Sequence, residues 1–135
     1  RQRQMCIRDR AYADLATHQA HIRALKSQMV QGLTATIPGV RFNANSDSPE
    51  ELYTVLNVSF PPHAKSGMAL FLLDLEGIAC SSGSACSSGA TLGSHVLRAL
   101  EFHDPERASL RFSFSRYNTA EEVDFALAAI RRVFS

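Results

Sequence analysis

The chain lacks the features that mark membrane-spanning, secreted or nucleic-acid-binding proteins. No apolar run among its 135 residues approaches the ~20 residues that a membrane helix needs. It shows no basic start followed by an apolar stretch and a small-residue cleavage site, so we do not expect secretion. A formal net charge of +1 gives no electrostatic reason to expect nucleic acid or an anionic membrane as partner. Three cysteines are too few, and odd in number, for a disulfide framework, which favours the cytoplasm.

Two common ligand patterns are also missing. The spacings between Cys80, Cys86, His95 and His103 do not match the short paired ligands of zinc sites, so we expect no metal. A P-loop has four residues between its glycines and then Lys-Ser or Lys-Thr, whereas the glycine-bounded segment 83–89 has five and is followed by alanine. The sequence therefore predicts neither a metal centre nor a P-loop.

Residues 1–10 differ from the rest of the chain. They are rich in Arg and Gln, have no apolar periodicity, and resemble translated sequencing-adapter sequence. We therefore expect residues 1–10 to be a non-native tail, and Cys6 within it to be uninformative.

Apolar periodicity in the remainder predicts helices that pack on a small sheet. Helical spacing extends from about residue 11 to residue 35, and Ile37-Pro38-Gly39 ends that helix. The last helix opens at a capping box, with Thr119 at the cap and Glu122 three residues later. Alternating patterns predict strands near 40–42, 53–60 and 110–115. The order of elements indicates an α/β (α+β) fold.

Shorter elements lie before and after the most unusual segment of the chain. Ser66 is expected to cap a short helix that ends at Gly77. Ile78-Ala79-Cys80 then reads as a buried strand, which makes Cys80 a core residue rather than a redox partner. Ser94 is expected to cap a helix that continues to Leu100.

Between these elements, the sequence Ser-Ser-Gly-Ser-Ala-Cys-Ser-Ser-Gly places Cys86 in a small, polar and flexible loop, residues 81–89. The Ser and Gly residues on both sides give the thiol no apolar packing partner, so a chemical role explains it better than packing does. An incidental surface thiol is the alternative. Only the thiolate is nucleophilic, and Arg98, Arg111 and His95 are the cations that could favour it.

Three motifs in order resemble one family. They are Ile78 to Gly89, Ser94-His95-Val96-Leu97-Arg98-Ala99-Leu100, and Leu110 to Thr119 followed by Glu121-Glu122-Val123-Asp124. Together they resemble the C-terminal part of cysteine desulfurases of the NifS/IscS group, within the class V aminotransferases. The resemblance covers nearly everything from residue 11 onward.

The resemblance implies a fold, an activity and site residues. The fold would be the small C-terminal domain of fold-type-I pyridoxal-phosphate-dependent transferases, with a helix at 11–36 leading into a domain at 37–135 and a catalytic-cysteine loop at 81–93. Family members remove sulfur from L-cysteine, giving L-alanine and an enzyme-bound persulfide. Cys86 would be the catalytic nucleophile. Arg111 would bind the substrate carboxylate through bidentate hydrogen bonds.

The resemblance also implies partners and a missing part. Family members are homodimers that pass sulfur to an acceptor or iron–sulfur scaffold protein for iron–sulfur cluster or thiocofactor assembly. The cofactor lysine follows a histidine in the family's large domain. This chain has only Lys26 and Lys65, neither in that context, so we expect no cofactor-binding residue and an inactive fragment. Relatives commonly have Gly where this chain has Glu101, which puts the exit of that helix in doubt.

Two alternatives remain open. One is a selenocysteine lyase or another class-V-aminotransferase-like enzyme. The other is a non-enzymatic module that only carries a persulfide.

Overall fold

Helices and a small antiparallel sheet make up the described part of the chain. The structure is a computed structural model that describes residues 2–82 and 106–135. The helices are α1 (Gln2–Ala13), α2 (Leu15–Thr36), α3 (Ala69–Leu75) and α4 (Ala120–Phe134). The strands are β1 (Arg41–Phe42), β2 (Val55–Ser59) and β3 (Ser109–Ser113), and short 3-10 helices occupy Asn43–Asn45 and Ser66–Met68. This mixed architecture confirms the predicted α+β class.

Helix α2 supplies one wall of the core. Its buried apolar residues recur every three or four positions, which places them on one face: Ile22, Leu25, Met29 and Leu33. The helix ends before Ile37, as predicted, and Ile37 is itself buried. Asp14, with φ −105° and ψ 9°, separates α2 from α1. The helical conformation of residues 2–13 does not test their origin, so the non-native tail stays a prediction.

The sheet has the order β1-β2-β3, and both pairs are antiparallel. Alternation along β2 and β3 directs one set of side chains into the core with α2: Leu56, Val58, Leu110 and Phe112. The residues between them face the other side of the sheet, and there Asn57 pairs with Arg111 across the strands. The sheet therefore has an apolar face under the helices and a mainly polar face opposite.

Helix α3 ends as predicted but begins differently. At its C-terminus Gly77 has φ +83°, and the amides of Gly77 and Ile78 donate to the carbonyls of Asp74 and Leu73, a Schellman motif. The expected cap by Ser66 is wrong. Ser66 instead begins a 3-10 helix, and its hydroxyl accepts a hydrogen bond from the amide of His63, so it stabilises the preceding turn.

Helix α4 opens on the predicted capping box. The Thr119 hydroxyl accepts from the Glu122 amide at 3.3 Å, and the Glu122 carboxylate accepts from the Thr119 amide at 3.2 Å. The helix packs against α2, where Gln28 Nε2 donates to Asp124 Oδ1 at 2.7 Å. Its buried residues complete the core: Val123, Ala129, Ile130 and Val133.

The predicted strand at Ile78–Cys80 is not formed as a strand. Within the described residues this segment continues from the end of α3 and makes a single β-bridge, between Ser81 and Arg111. Ile78 and Cys80 are half-buried and pack against the core while Ala79 between them is exposed, so the side chains alternate although no strand ladder forms. The predicted helix from Ser94 to Leu100 lies outside the described residues. In the described ranges, no helix has the length and apolar character to cross a membrane.

Candidate functional site

Arg111 lies on the polar face of the sheet, in the middle of the edge strand β3. It is the middle residue of β3, between the buried Leu110 and Phe112, so its side chain faces away from α2. The side chain is half-buried. The alternation that predicted a polar strand face is therefore confirmed, and it places a permanently charged guanidinium there.

Among the described residues, the Arg111 guanidinium has a hydrogen-bond partner at Nε but none at its two Nη atoms. Its Nε donates to the Ser81 hydroxyl at 3.1 Å. Among residues 2–82 and 106–135, no protein group accepts a hydrogen bond from its two Nη atoms, and no carboxylate forms an ion pair with it. Two parallel N–H groups on a half-buried cation form a donor set that suits a bidentate carboxylate.

Ser81 connects this arginine to the segment that carries Cys86. The Ser81 amide donates to the Arg111 carbonyl at 3.1 Å, and the Arg111 amide donates to the Ser81 carbonyl at 2.7 Å. Cys86 itself lies outside the described residues, so its side chain has no structural account. The structure therefore brings Arg111 together with the first residue of the predicted 81–93 loop.

Cys80 immediately precedes this bridge and is a packing residue. It is half-buried and contacts the hydrophobic core. Burial, reinforced by the nearby charge of Asp74, raises the pKa of the Cys80 thiol to about 11. A thiol with that pKa is almost entirely protonated near neutral pH and is a poor nucleophile. Cys80 therefore packs against the core without being one of its buried residues, so the prediction that it is a core residue holds only in part.

A polar network, which the sequence did not single out, supports the same sheet face. Asn43 Nδ2 donates to Asn57 Oδ1 at 3.0 Å and to the Ser109 hydroxyl at 3.2 Å. The Ser46 hydroxyl donates to the Asn57 carbonyl and accepts from its amide, each at 3.0 Å, as a neighbouring strand would. The alternation of Asn57 with apolar residues was the available signal, but it could not identify Asn43 and Ser46 as its partners.

Neither lysine of the chain fits a site for pyridoxal phosphate. Lys26 is buried on α2, behind the opposite face of the sheet from Arg111, and its Nζ donates to the Leu52 carbonyl at 2.9 Å. Desolvation is the larger cause that lowers the Lys26 pKa, and the charge of Arg23 lowers it further. Lys65 is exposed in the turn before the 3-10 helix. Neither lysine therefore lies where it is suited to bind that cofactor, and the expectation that the chain has no cofactor-binding residue stays a prediction.

The described ranges also contain no group of three or more His, Cys, Asp or Glu residues that could hold a metal ion. Of the four residues considered above as zinc ligands, only Cys80 is described. The expectation that the chain holds no metal stays a prediction.

Comparison with known proteins identifies the family. The family model described as Aminotransferase class-V matches residues 10–125. The chain belongs to this family. It is 37% identical over 122 residues to "Cysteine desulfurase IscS" of Colwellia psychrerythraea, an alignment that covers 90% of this chain and 29% of that protein. It is 33% identical over 125 residues to "Probable cysteine desulfurase, mitochondrial" of Dictyostelium discoideum, covering 92% of this chain and 27% of that one.

Solved structures share the same fold. A NifS-like protein from Rickettsia africae superposes with a TM-score of 0.72 over 90% of this chain and 30% of its own, at 22% identity. A second NifS-like protein gives a TM-score of 0.70 at 28% identity, over 91% of this chain and 30% of its own. The chain therefore has the fold of part of a NifS-like protein, and it spans less than a third of each of these relatives. The predicted resemblance and fold class are confirmed.

Proposed function

We propose that a full-length protein carrying this chain is a cysteine desulfurase that transfers sulfur from L-cysteine to Cys86. The observation that carries the proposal is the Arg111 guanidinium, half-buried on the polar sheet face with its two Nη atoms unpaired among the described residues. That donor set suits the carboxylate of an amino acid. Its bridge to Ser81 joins this carboxylate site to the segment that leads to Cys86.

Two residues of the chain would perform separate tasks. Arg111 would bind the substrate carboxylate and so orient the substrate thiol. The Cys86 thiolate would attack the substrate sulfur, forming a new S–S bond as the substrate C–S bond breaks. The electron pair of the broken C–S bond would remain on the substrate β-carbon, which takes up a proton, so that L-alanine leaves and the sulfur stays on Cys86 as a persulfide. The family relatives named cysteine desulfurase support this assignment.

Pyridoxal phosphate would be bound by the part of the protein that this chain does not span. The chain spans 29% of the Colwellia relative, and its two lysines lie in places unsuited to the cofactor. We therefore propose that the chain alone is inactive. The chain contributes the carboxylate site and the thiol.

The remaining parts of the proposal concern partners and location. The persulfide would pass to a sulfur-acceptor or iron–sulfur scaffold protein, for iron–sulfur cluster or thiocofactor assembly. We propose that the full-length protein acts as a homodimer in the cytoplasm.

The deciding experiment measures sulfide release from L-cysteine by the full-length protein and its Cys86→Ser variant, in the presence of a dithiol reductant. We expect the substitution to abolish release, because serine cannot form a persulfide. Cys80→Ala is the matched control, since Cys80 is a half-buried, protonated packing thiol, and it should keep sulfide release close to the wild-type rate. Retained desulfurase activity in Cys86→Ser would refute the role of Cys86.

The same reaction, with alanine measured beside the released sulfide or selenide, separates the open alternatives. Faster turnover of L-selenocysteine than of L-cysteine would favour a selenocysteine lyase. A full-length protein that holds a persulfide but releases no alanine would favour a carrier.

A further inference from the structure

Ser81 contacts Arg111 in two distinct ways. Its backbone makes both hydrogen bonds of the β-bridge, and its hydroxyl accepts a third from Arg111 Nε. Only the third bond uses the serine side chain. Replacing Ser81 by alanine therefore removes one bond and leaves the bridge intact.

The hydrogen bond at Nε determines the orientation of the guanidinium plane. Nε lies in the guanidinium plane, so an acceptor there limits rotation of that plane, while both Nη groups stay available as a pair. An arginine side chain loses considerable rotamer freedom when it binds a ligand. Orienting it beforehand removes part of that cost from substrate binding.

The other described groups near Arg111 do not replace this bond. Asn57, its cross-strand partner, has its side-chain oxygen engaged by Asn43. Within the described ranges, Arg111 has no carboxylate partner. Ser81 is therefore the group seen to orient this guanidinium.

We propose that Ser81 is a positioning residue for substrate binding: its hydroxyl holds the Arg111 guanidinium with both Nη groups directed at the substrate carboxylate. This inference rests on the proposed function and deepens it. Ser81 does not itself contact the substrate in this account.

The first test compares steady-state kinetics of the full-length protein with L-cysteine. In Ser81→Ala we expect KM to rise ~10-fold, since one hydrogen bond to a charged group is lost, and kcat to change by less than about twofold. Ser81→Thr keeps the hydroxyl and should stay within about threefold of the wild-type KM. Ser113→Ala is the matched control, because Ser113 is an exposed serine two residues from Arg111 on the same strand face.

A double-mutant cycle separates positioning from a general structural effect. If Ser81 acts through Arg111, then Ser81→Ala should change KM by less than about twofold once Arg111 is already alanine. If Ser81 only supported the local structure, Ser81→Ala would change KM by the same factor with arginine or with alanine at position 111. An additive cycle, a wild-type KM in Ser81→Ala, or an alanine-like KM in Ser81→Thr would each overturn the inference.

A measurement without turnover keeps the inference independent of the proposed function. In ¹⁵N-arginine-labelled full-length protein, exchange of the Arg111 Nε–H with water should be ~10-fold faster in Ser81→Ala than in wild type or Ser113→Ala. Equal exchange rates in all three would overturn the positioning role. Absence of L-cysteine turnover in the wild type, with the exchange difference present, would instead refute the proposed function.

Discussion

Arg111 is the described residue on which the proposed function most depends. Its guanidinium is charged and half-buried, and its two Nη atoms have no hydrogen-bond acceptor among the described residues. In the full-length protein, Arg111→Ala should weaken binding of L-cysteine by about 2–3 kcal/mol, or roughly 30- to 150-fold in KM. Arg131→Ala offers a control, since Arg131 is an exposed arginine on the last turns of α4. Unchanged KM and kcat in Arg111→Ala would refute the carboxylate site.

Cys80 allows a second prediction at the residue scale. With a pKa of about 11, its thiolate is a very small fraction at pH 8, so iodoacetamide should alkylate it at least roughly 100-fold more slowly than an ordinary exposed thiol. The rate should rise about tenfold per pH unit until it approaches that pKa. Peptide mass spectrometry over a pH series measures this, with the exposed Cys6 as internal reference. Equal labelling of Cys80 and Cys6 would contradict the partial burial of Cys80 against the core.

Among the elements, α4 offers the most direct stability test. Thr119→Ala removes the hydroxyl that accepts from the Glu122 amide, and should lower the free energy of unfolding by about 1 kcal/mol in urea. Thr34→Ala is the control. Its hydroxyl donates to the Val30 carbonyl within α2, where alanine is the better helix former. A Thr119→Ala variant as stable as wild type would show that the capping box contributes nothing.

The same helix terminus should make stability depend on pH. Hydrogen bonds from the Asn118 side chain and the Thr119 amide lower the pKa of Glu122 below its usual 4.5. A lowered folded-state pKa stabilises the protein above pH 4.5, and this contribution is lost as pH falls through the folded value. We expect the urea midpoint to fall on acidification, and to fall less in Glu122→Gln. If the urea midpoints of wild type and Glu122→Gln fell in parallel on acidification, the Glu122 carboxylate would not be the cause of the pH dependence.

Local sequence signals predicted elements well where a single interaction sets the boundary. The capping box at Thr119 and the glycine after α3 both depend on residues within three or four positions, so the sequence contains all that determines them. Ser66 shows the limit of this reasoning. A serine before an apolar run can cap a helix or stabilise the turn before it, and the choice depends on where the backbone of His63 lies.

In the candidate site, the sequence predicted the position of Arg111 but not its partner, because that partner comes from a distant segment. Alternation along β3 identified Arg111 and its face, because a strand directs successive side chains to opposite sides. The pairing of Arg111 with Ser81, and of Asn57 with Asn43, joins residues far apart in sequence. No local pattern specifies which distant segments meet across a sheet edge.

At the scale of the whole molecule, the chain should not retain the cofactor of its family. After it is mixed with pyridoxal phosphate and dialysed, the 135-residue chain should show no visible absorbance band of bound cofactor. Of its two lysines, Lys26 is buried with its Nζ bonded to the Leu52 carbonyl, and Lys65 is exposed in a turn. A full-length protein treated in the same way is the control and should keep the band. A persistent band in the chain alone would refute this prediction.

The bridge at Ser81 also limits how far sulfur can be delivered. Cys86 follows Ser81 by five residues, and an extended chain spans at most about 3.6 Å per residue, so the two Cα atoms lie within ~18 Å in every conformation. As long as the bridge holds, the Cα of Cys86 is confined to that radius around Ser81, and the side chain adds only about 4 Å to the reach of its outer persulfide sulfur. An acceptor protein must therefore bring its own receiving atom within this combined reach. The span of five residues defines a geometric requirement that any docking arrangement has to meet.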